Sequence, residues 1–269
     1  MKESILLTIQ LFVLLLANAQ SASTLIGARA NGLGYASTCI EDAWSVFNNP
    51  GGLVQVEHTT ASVSLDLHPW FKSFNRIAAM AALPLARGVG ALGTYKFGDD
   101  LYNETILSGV YSSTFGLASL GLKLNYIQYH ASDFGTRAVV TLSFGGIARL
   151  TNKLSVGAHI SNINQPRISE DEAVPTWLCA GLGFKPQEKI FVTTEIEKNL
   201  THAATWKTGV EYAALKKVFF RTGFNLSPDA AFFGIGFHPK KLNFDFAAQY
   251  HESLGSNFQT TVIYQFKSK

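Results

Sequence analysis

The sequence contains few charged residues. Asp, Glu, Lys and Arg make up 15% of its 269 residues, whereas soluble domains usually contain about 25%. The formal net charge is only +3, and the basic residues are spread along the chain instead of forming one cluster. This distribution argues against a nucleic-acid-binding surface, so nucleic acid is not expected among the partners.

Motifs that carry enzyme chemistry are missing. The sequence has no His-Glu-x-x-His metal motif, no Gly-x-Ser-x-Gly nucleophile elbow and no Gly-Lys-Ser/Thr phosphate loop. Its seven histidines are scattered without the spacing of metal ligands. We therefore predict no enzyme activity, no metal site and no cofactor.

Beyond its first residues, the sequence has no apolar run approaching the about 18 residues of a transmembrane helix. At the N-terminus, Lys2 precedes an apolar run over residues 5–16, and Ala17-Asn18-Ala19 has the small-residue pattern of a signal-peptidase site. This predicts a signal peptide over residues 1–19 that is cleaved before Gln20. An uncleaved anchor is the alternative, but a spanning helix needs about 20 residues.

The sequence is rich in phenylalanine (20) and glycine (23). In several segments apolar and polar residues alternate along the chain. In residues 241–251 the apolar and polar sets fall on opposite faces of a strand. The pattern recurs in residues 117–130, 154–161 and 258–266. An exported chain of this kind predicts an antiparallel up-and-down β-barrel surrounded by the lipid of a Gram-negative outer membrane.

Turn signals divide the chain from residue 59 onward into units of one strand each, which gives about fourteen strands. Among these signals are Arg87-Gly88, Lys185-Pro186-Gln187 and His238-Pro239-Lys240. We assign residues 59–269 to the barrel and residues 20–58 to a lead-in segment. A soluble all-β periplasmic protein is the alternative, because the strands of a sandwich alternate as well.

The lead-in segment contains a helix signal. Thr38 and Glu41 match a capping box, which predicts the start of a short helix that runs through Trp44 and Phe47. The segment 48–52 should end this helix, because its proline cannot continue it. A short helix without a sheet of its own must pack elsewhere, and the barrel interior is the expected place.

The lead-in segment also resembles the N-terminal signature of the FadL-like barrel superfamily, and it is most similar to the PorV/PorQ branch. The similarity covers residues 27–36 and 41–53, where Gly51 departs from the more common alanine. The residues at the motif positions are Asp42, Asn49, Pro50, Gly51 and Gly52. The resemblance implies a barrel of about fourteen strands with the N-terminal segment inside the lumen.

Three functions remain open, and the resemblance implies the first two. A PorV/PorQ-like protein would be an accessory to type IX secretion or to surface attachment of its cargo, with secretion-machinery proteins or exported cargo as partners. A FadL-like channel would instead take up hydrophobic small molecules. A structural barrel without its own solute is the third alternative. The first is favoured, because the short connections between strands leave few residues to build a ligand site.

Polar residues of the late strands gather on the face opposite the apolar one. They are Glu195, Glu197, Lys207, Glu211, Arg221, Asn225, Asp245, Gln249 and His251. We expect this set to line the lumen, because unpaired charge is costly at low dielectric and these residues offer both signs. The set is either a binding surface for a solute or a structural network that anchors the N-terminal helix.

The sequence has two cysteines. Export would permit a disulfide between Cys39 in the lead-in segment and Cys179 on a strand, which would pin the segment to the barrel wall. Two buried free thiols are the alternative. His130, His159 and His251 are expected in the lumen or at its rim rather than as metal ligands.

Overall fold

The computed structural model describes residues 24–169, 172–199, 203–226, 229–252 and 254–266. The predicted signal peptide, residues 1–19, therefore lies outside the described residues. Within those ranges, fourteen strands form one closed antiparallel barrel, which confirms the predicted fold class. The strands are β1 (Thr60–Leu67), β2 (Arg76–Leu85), β3 (Gly88–Gly98), β4 (Tyr102–Phe115), β5 (Ala118–Ala131), β6 (Gly135–Arg149), β7 (Leu154–Ser161), β8 (Trp177–Gln187), β9 (Ile190–Asn199), β10 (Thr205–Leu215), β11 (Val218–Leu226), β12 (Ala230–Phe237), β13 (Leu242–His251) and β14 (Gly255–Gln265). In the described part of the chain, no helix is long and apolar enough to cross a membrane.

Each strand pairs with its neighbours in sequence, and β1 closes the barrel against β14. The closing register places Thr60 opposite Gln265 and Leu67 opposite Phe258. Both ends of the barrel therefore lie on one rim, which we call the turn rim because its connections are short. The other rim, the loop rim, carries the longer connections 68–75 and 162–176. Outer-membrane barrels place short turns on the periplasmic side and longer loops outside.

The outer face of the barrel is a band of exposed apolar side chains. Outward-pointing residues such as Leu92 and Phe233 are 71% and 65% exposed, because alternation turns every second residue of a strand away from the lumen. An apolar surface that surrounds the molecule is rare on soluble proteins. One closed sheet with this surface is a membrane barrel and not the soluble sandwich that alternation also permitted.

The lead-in segment lies inside the barrel, where almost all of its residues are buried. We call residues 24–58 the plug. The plug contains helix α1 (Ala28–Gly32) and two 3-10 helices, Ala43–Val46 and Pro50–Gln55; a third 3-10 helix, Lys72–Phe74, lies in the first loop. The plug is bonded to opposite sides of the wall, because Ala28 N donates to Thr261 Oγ1 (2.9 Å) and Thr193 Oγ1 donates to Ala36 O (2.9 Å).

The sequence predicted Thr38 as the N-cap of the plug helix, and this prediction is wrong. The helix is a single 3-10 turn, Ala43–Val46, and its N-cap is Asp42, whose side chain accepts a hydrogen bond from Trp44 N (2.9 Å). Thr38 does not cap it, because both its backbone N–H and its hydroxyl donate to Glu195 on β9. A long-range contact with a buried carboxylate has displaced the local one.

Two further local predictions are displaced by a few residues. The first 3-10 helix ends at Val46, before Pro50. Pro50 begins the second 3-10 helix, because the fixed φ of proline suits the first helical position. Lys185-Pro186-Gln187 is not the turn after β8. These residues extend the strand through an irregularity between Phe184 and Gln187, and a proline is tolerated in a strand at such a bulge.

Candidate functional site

The barrel lumen is the candidate site, and its two halves differ in chemistry. Strands β9, β10, β11 and β13 point charged side chains inward, as their alternation predicted, and form the charged wall. Strands β2–β6, on the other side, form what we call the apolar wall; its inward side chains are apolar in part, and they also include the buried Glu104, Lys123 and Asn125. The plug lies between the two halves and contacts both.

The first group on the charged wall is centred on Lys207, and we call it the lysine cluster. Lys207 Nζ donates to Glu197 Oε2 (2.7 Å) and to Glu195 Oε1 (3.4 Å). Glu195 Oε2 in turn accepts from Thr38 N (2.7 Å) in the plug. Oxygens of both carboxylates and the sulfur of Cys179 lie within 4.8 Å of one another, but the lysine ammonium already supplies the positive charge that a metal ion would bring.

The second group on this wall is centred on Arg221, and we call it the arginine cluster. Arg221 donates to Glu211 Oε2 (2.6 Å) and to Asp245 Oδ1 (2.5 Å). Arg29 of the plug forms two bonds to the same glutamate, of 2.9 and 2.7 Å. His238 Nε2 lies 3.0 Å from Asp245 Oδ1. Bidentate contacts of guanidinium with carboxylate are among the strongest hydrogen bonds in proteins, so this cluster holds α1 against β10 and β11.

Three of the residues expected in the lumen set stand outside both clusters. Asn225 is buried beside Gly34 of the plug, and its Oδ1 is without a hydrogen-bond partner among the described residues. Gln249 and His251 are half-buried nearer the loop rim. Whether the lumen set serves binding or structure stays a prediction.

A third ion pair, which was not predicted from the sequence, joins Asp66 and Arg76. Arg76 Nε donates to Asp66 Oδ2 (2.7 Å), and its Nη2 donates to the hydroxyl of Tyr35 in the plug (2.9 Å). The two strands are joined by the first loop, with Asp66 directly opposite Arg76 in register. The inward parity of both residues was therefore a signal that could have identified the pair. Arg29 offered no such signal, because the plug has no periodic pattern.

The motif residues of the plug seat it on β5 and β6. Asn49 Nδ2 donates to Thr38 O (2.6 Å) and to Gly146 O (3.2 Å). A Cβ added to Gly51 would lie 2.6 Å from Gly146 Cα, so only glycine permits this approach of two backbones. The same constraint applies to Gly52, where an added Cβ would lie 2.4 Å from Ile40 O.

Burial changes the ionisation of several plug residues. Burial raises the pKa of Tyr35 to about 12 and that of the Cys39 thiol to about 12. It also raises the pKa of Asp42. Burial alone would lower the pKa of Arg29, but the adjacent Glu211 carboxylate raises it well above its usual range. Arg29 therefore stays charged, and the arginine cluster keeps its ion pairs at every physiological pH.

The two cysteines do not pair, so the disulfide interpretation is wrong. Both thiols are free and buried. Cys39 packs against Gly183 of β8, because a Cβ added to Gly183 would lie 2.9 Å from the Cβ of Cys39. Cys179 lies four residues earlier on β8, which is about 13 Å along a strand. A disulfide requires Cα atoms within about 7 Å, and the position of the plug along the barrel axis prevents this.

The apolar wall and the plug together form a buried apolar cluster. Trp44 and Phe47 of the plug stack with ring centroids 5.9 Å apart, and Phe47 lies 6.4 Å from the ring of Tyr95. Other inward side chains of this cluster are Met80, Ile106, Ile127 and Val139. A second buried apolar cluster, which includes Leu33 of the plug, Phe191 and Phe232, lies on the side of β9 and β12.

Aromatic side chains at the loop rim extend this cluster to the surface. We call Trp70, Phe71, Phe74 and Phe97 the aromatic mouth. Ring centroids are 5.7 Å apart for Phe71 and Phe74, and 6.1 Å apart for Phe74 and Phe97. Phe97 packs against the buried apolar cluster, whereas Trp70 is 76% exposed. Apolar surface is therefore continuous from the outside into the lumen.

The barrel wall is thin where β6 meets β7. On its membrane side lies an open apolar groove of about 540 Å³ that small residues such as Gly146 and Ala158 leave empty; we call it the wall groove. On its inner side lies a cavity of about 80 Å³ with a mixed lining, in which Phe47 and Ile127 stand beside Lys123, Asn125 and Glu197. His159 and Cys179 border both spaces.

The pairing at this place is also short. β7 pairs with only residues 144–149 of β6, so among the described residues the loop-side half of β6 has no strand partner there. The loop after β7 covers this half with a few bonds, such as Ile163 N to Leu142 O (2.8 Å) and Asn164 Nδ2 to Val140 O (2.8 Å). His159 Nε2 has no hydrogen-bond partner in the described part of the chain.

Neither a scan of protein-family models nor a search of curated proteins gives a match. Several solved structures are similar. A structure described as the CymD monoaromatic hydrocarbon channel is 12% identical with a TM-score of 0.67, over 93% of this chain and 100% of that one. A Pseudomonas aeruginosa FadL homologue is 11% identical with a TM-score of 0.66, over 91% and 100%. The P. putida toluene transporter TodX is 11% identical with a TM-score of 0.65, over 92% and 100%. At such low identity the likeness concerns the fold alone, and the chain has the fold of FadL-type outer-membrane channels.

Proposed function

We propose that the protein is an outer-membrane channel for small hydrophobic molecules. Such a molecule enters at the aromatic mouth, moves along the apolar half of the lumen and leaves sideways into the membrane through the wall between β6 and β7. The observation that carries this proposal is the continuity of the aromatic mouth with the buried apolar cluster. The ring contacts from the exposed Phe71 through Phe74 to Phe97 provide this continuity.

The sideways exit follows from the position of the plug. Residues 24–58 fill the lumen, and the lysine and arginine clusters bond the plug to the wall, so a straight path along the barrel axis is blocked. The wall groove and the inner cavity approach each other from opposite sides of His159 and Cys179. Direct passage of a hydrophobic molecule from the lumen to lipid is favourable, because its apolar surface is never exposed to water.

The experiment is uptake of toluene by Gram-negative cells that carry the chain in their outer membrane. Ala158→Phe fills the wall groove, and we expect it to lower uptake several-fold. Ala81→Phe is the matched control, because Ala81 is an equally exposed alanine on the outer face of β2. Phe74→Ser should lower uptake at the mouth, whereas Phe134→Ser, on an exposed aromatic of another loop, should not.

Uptake that does not exceed that of cells without the chain would refute the proposal and leave the structural barrel. Equal losses for Ala158→Phe and Ala81→Phe would refute the sideways exit alone. The accessory role in type IX secretion stays a prediction of the sequence resemblance. Recovery of secretion components with the barrel from native membranes, together with no toluene uptake, would favour it.

A further inference from the structure

The turn rim of the barrel carries an excess of positive charge. Exposed basic residues occupy the turn rim: Arg87, Lys153, Lys189, Lys216, Lys217 and Lys240. The exposed acidic residues of this rim are Glu57 and Glu188. On the loop rim, the described residues include five exposed carboxylates and five exposed basic side chains. They are Asp100, Asp133, Glu172, Asp229 and Glu252, and Lys72, Lys96, Arg137, Arg167 and Lys198. The excess of positive charge is therefore confined to the turn rim.

The basic residues of the turn rim stand at the edge of the apolar outer band. Leu85 is two residues from Arg87, and Leu215 directly precedes Lys216; both leucines are exposed. The same neighbourhood recurs where Leu150 lies close to Lys153. Because the apolar band lies in hydrocarbon, the charges beside it lie at the depth of the lipid headgroups.

The turn rim also contains a recess between β6, β7 and β8. It is an open cavity of about 480 Å³, and its lining includes Arg149, Lys153 and Lys185. The one carboxylate that lines it is Glu41, which bonds to Arg149 (2.8 Å). The recess therefore has more positive than negative charge, and its lining also includes the exposed Leu117 and Leu150.

We propose that the turn rim binds the headgroups of anionic phospholipids in the leaflet that it meets, most tightly at the recess of Arg149, Lys153 and Lys185. Charge complementarity and continuity with the lipid-covered wall support a lipid as the occupant. An acidic protein would be expected to meet one patch, whereas this charge follows the rim from turn to turn. The proposal does not depend on the proposed transport.

The test uses the purified full chain in zwitterionic detergent. Bound short-chain phosphatidylglycerol and phosphatidylcholine are counted by native mass spectrometry across a lipid titration. We expect a preference for phosphatidylglycerol that salt weakens, because screening acts on exposed charge. A triple variant, Arg149→Gln with Lys153→Gln and Lys185→Gln, should lower the affinity for phosphatidylglycerol by on the order of a hundredfold at low salt.

The matched control removes the same charge from the loop rim. Lys72→Gln, Lys96→Gln and Arg137→Gln replace three exposed residues there, and this variant should keep the phosphatidylglycerol preference. Equal binding of the two lipids by the unaltered chain would overturn the proposal, and so would equal losses in the two triple variants. Binding of polyglutamate at the turn rim without a lipid preference would overturn it in favour of an acidic protein partner.

Discussion

Glu211 joins the plug to the wall, and replacing it with glutamine tests how the plug is held. Its carboxylate accepts from both nitrogens of the Arg29 fork (2.9 and 2.7 Å) and from Arg221 Nε (2.6 Å). Glu211→Gln preserves the shape of the side chain but removes its charge. Two guanidinium groups are then left close together in a site that water barely reaches.

The expected cost is large because the pairs are buried. Arg221 and Glu211 have side chains that are 0% and 9% exposed. Removing one partner of a buried ion pair costs about 3–5 kcal/mol, which corresponds to about two to four orders of magnitude in the unfolding equilibrium constant. Asp245 still pairs with Arg221, which places the expected value near the lower end.

The assay is reversible guanidinium unfolding of the barrel in lipid vesicles, followed by tryptophan fluorescence. Arg149→Gln is the control, because it breaks an ion pair between plug and wall whose arginine is 51% exposed. Exposed pairs contribute less than about 1 kcal/mol. The two variants therefore separate burial from the mere presence of an ion pair.

A double variant makes the result specific to the Arg29 contact. Arg29→Met combined with Glu211→Gln should cost less than the sum of the two single changes, since the residues act as one unit. If Glu211→Gln loses no more stability than Arg149→Gln, or if the two changes add without coupling, the arginine cluster does not hold the plug.

Three further predictions concern the plug. Burial raises the pKa of Tyr35 to about 12 from an unfolded value of about 10; the resulting stabilisation is complete below pH 10 and is lost as the pH rises through 12, so Tyr35→Phe should lose less stability between pH 9 and 11.5 than the unaltered chain, and an equal loss would contradict this. Burial raises the pKa of Cys39 to about 12, so in a Cys179→Ser variant the remaining thiol should resist Ellman's reagent at pH 8 until the protein is unfolded, and rapid labelling of the folded barrel would contradict this. Gly51→Ala should cost about 1–3 kcal/mol in unfolding because its Cβ meets Gly146, and an unchanged midpoint would show that the plug can shift.

The strands were predictable because one physical rule governs them all. Every second side chain meets lipid and the others meet the interior, so a period of two repeats along the chain. This rule also placed Glu195, Lys207 and Arg221 in the lumen. It could not place Arg29, because the plug follows no period and its contacts depend on where the folded segment stops along the barrel axis.

The same limit explains the two errors in the plug. The capping-box pattern predicted that Thr38 caps a helix. In the structure Thr38 bonds to the buried carboxylate of Glu195 on β9, which is a stronger partner than an unpaired backbone N–H of a short helix. The alternation of β8 correctly predicted that Cys179 points inward. It does not predict the position along the barrel axis at which Cys39 contacts the wall. The wall groove was beyond sequence reasoning altogether, since it is a space that Gly146 and Ala158 leave unfilled.

The bonds that hold the plug and the wall decide where the barrel can open. Separating the plug from β9–β11 breaks the ion pair between Arg29 and Glu211 and the hydrogen bonds of Thr38 to Glu195. Loss of one partner of a buried ion pair costs about 3–5 kcal/mol. Above β7, opening the wall breaks a few hydrogen bonds of the loop, such as Ile163 N to Leu142 O, with net contributions of about 0.5–1.5 kcal/mol each. The plug is bonded to β5 and β6 as well, through Lys123 and Asn49. The part of the wall that opens at the lower cost is therefore the loop-side half of β6, where loop hydrogen bonds replace strand pairing. The sideways exit that we propose is expected at this place because the wall is held there by the fewest bonds.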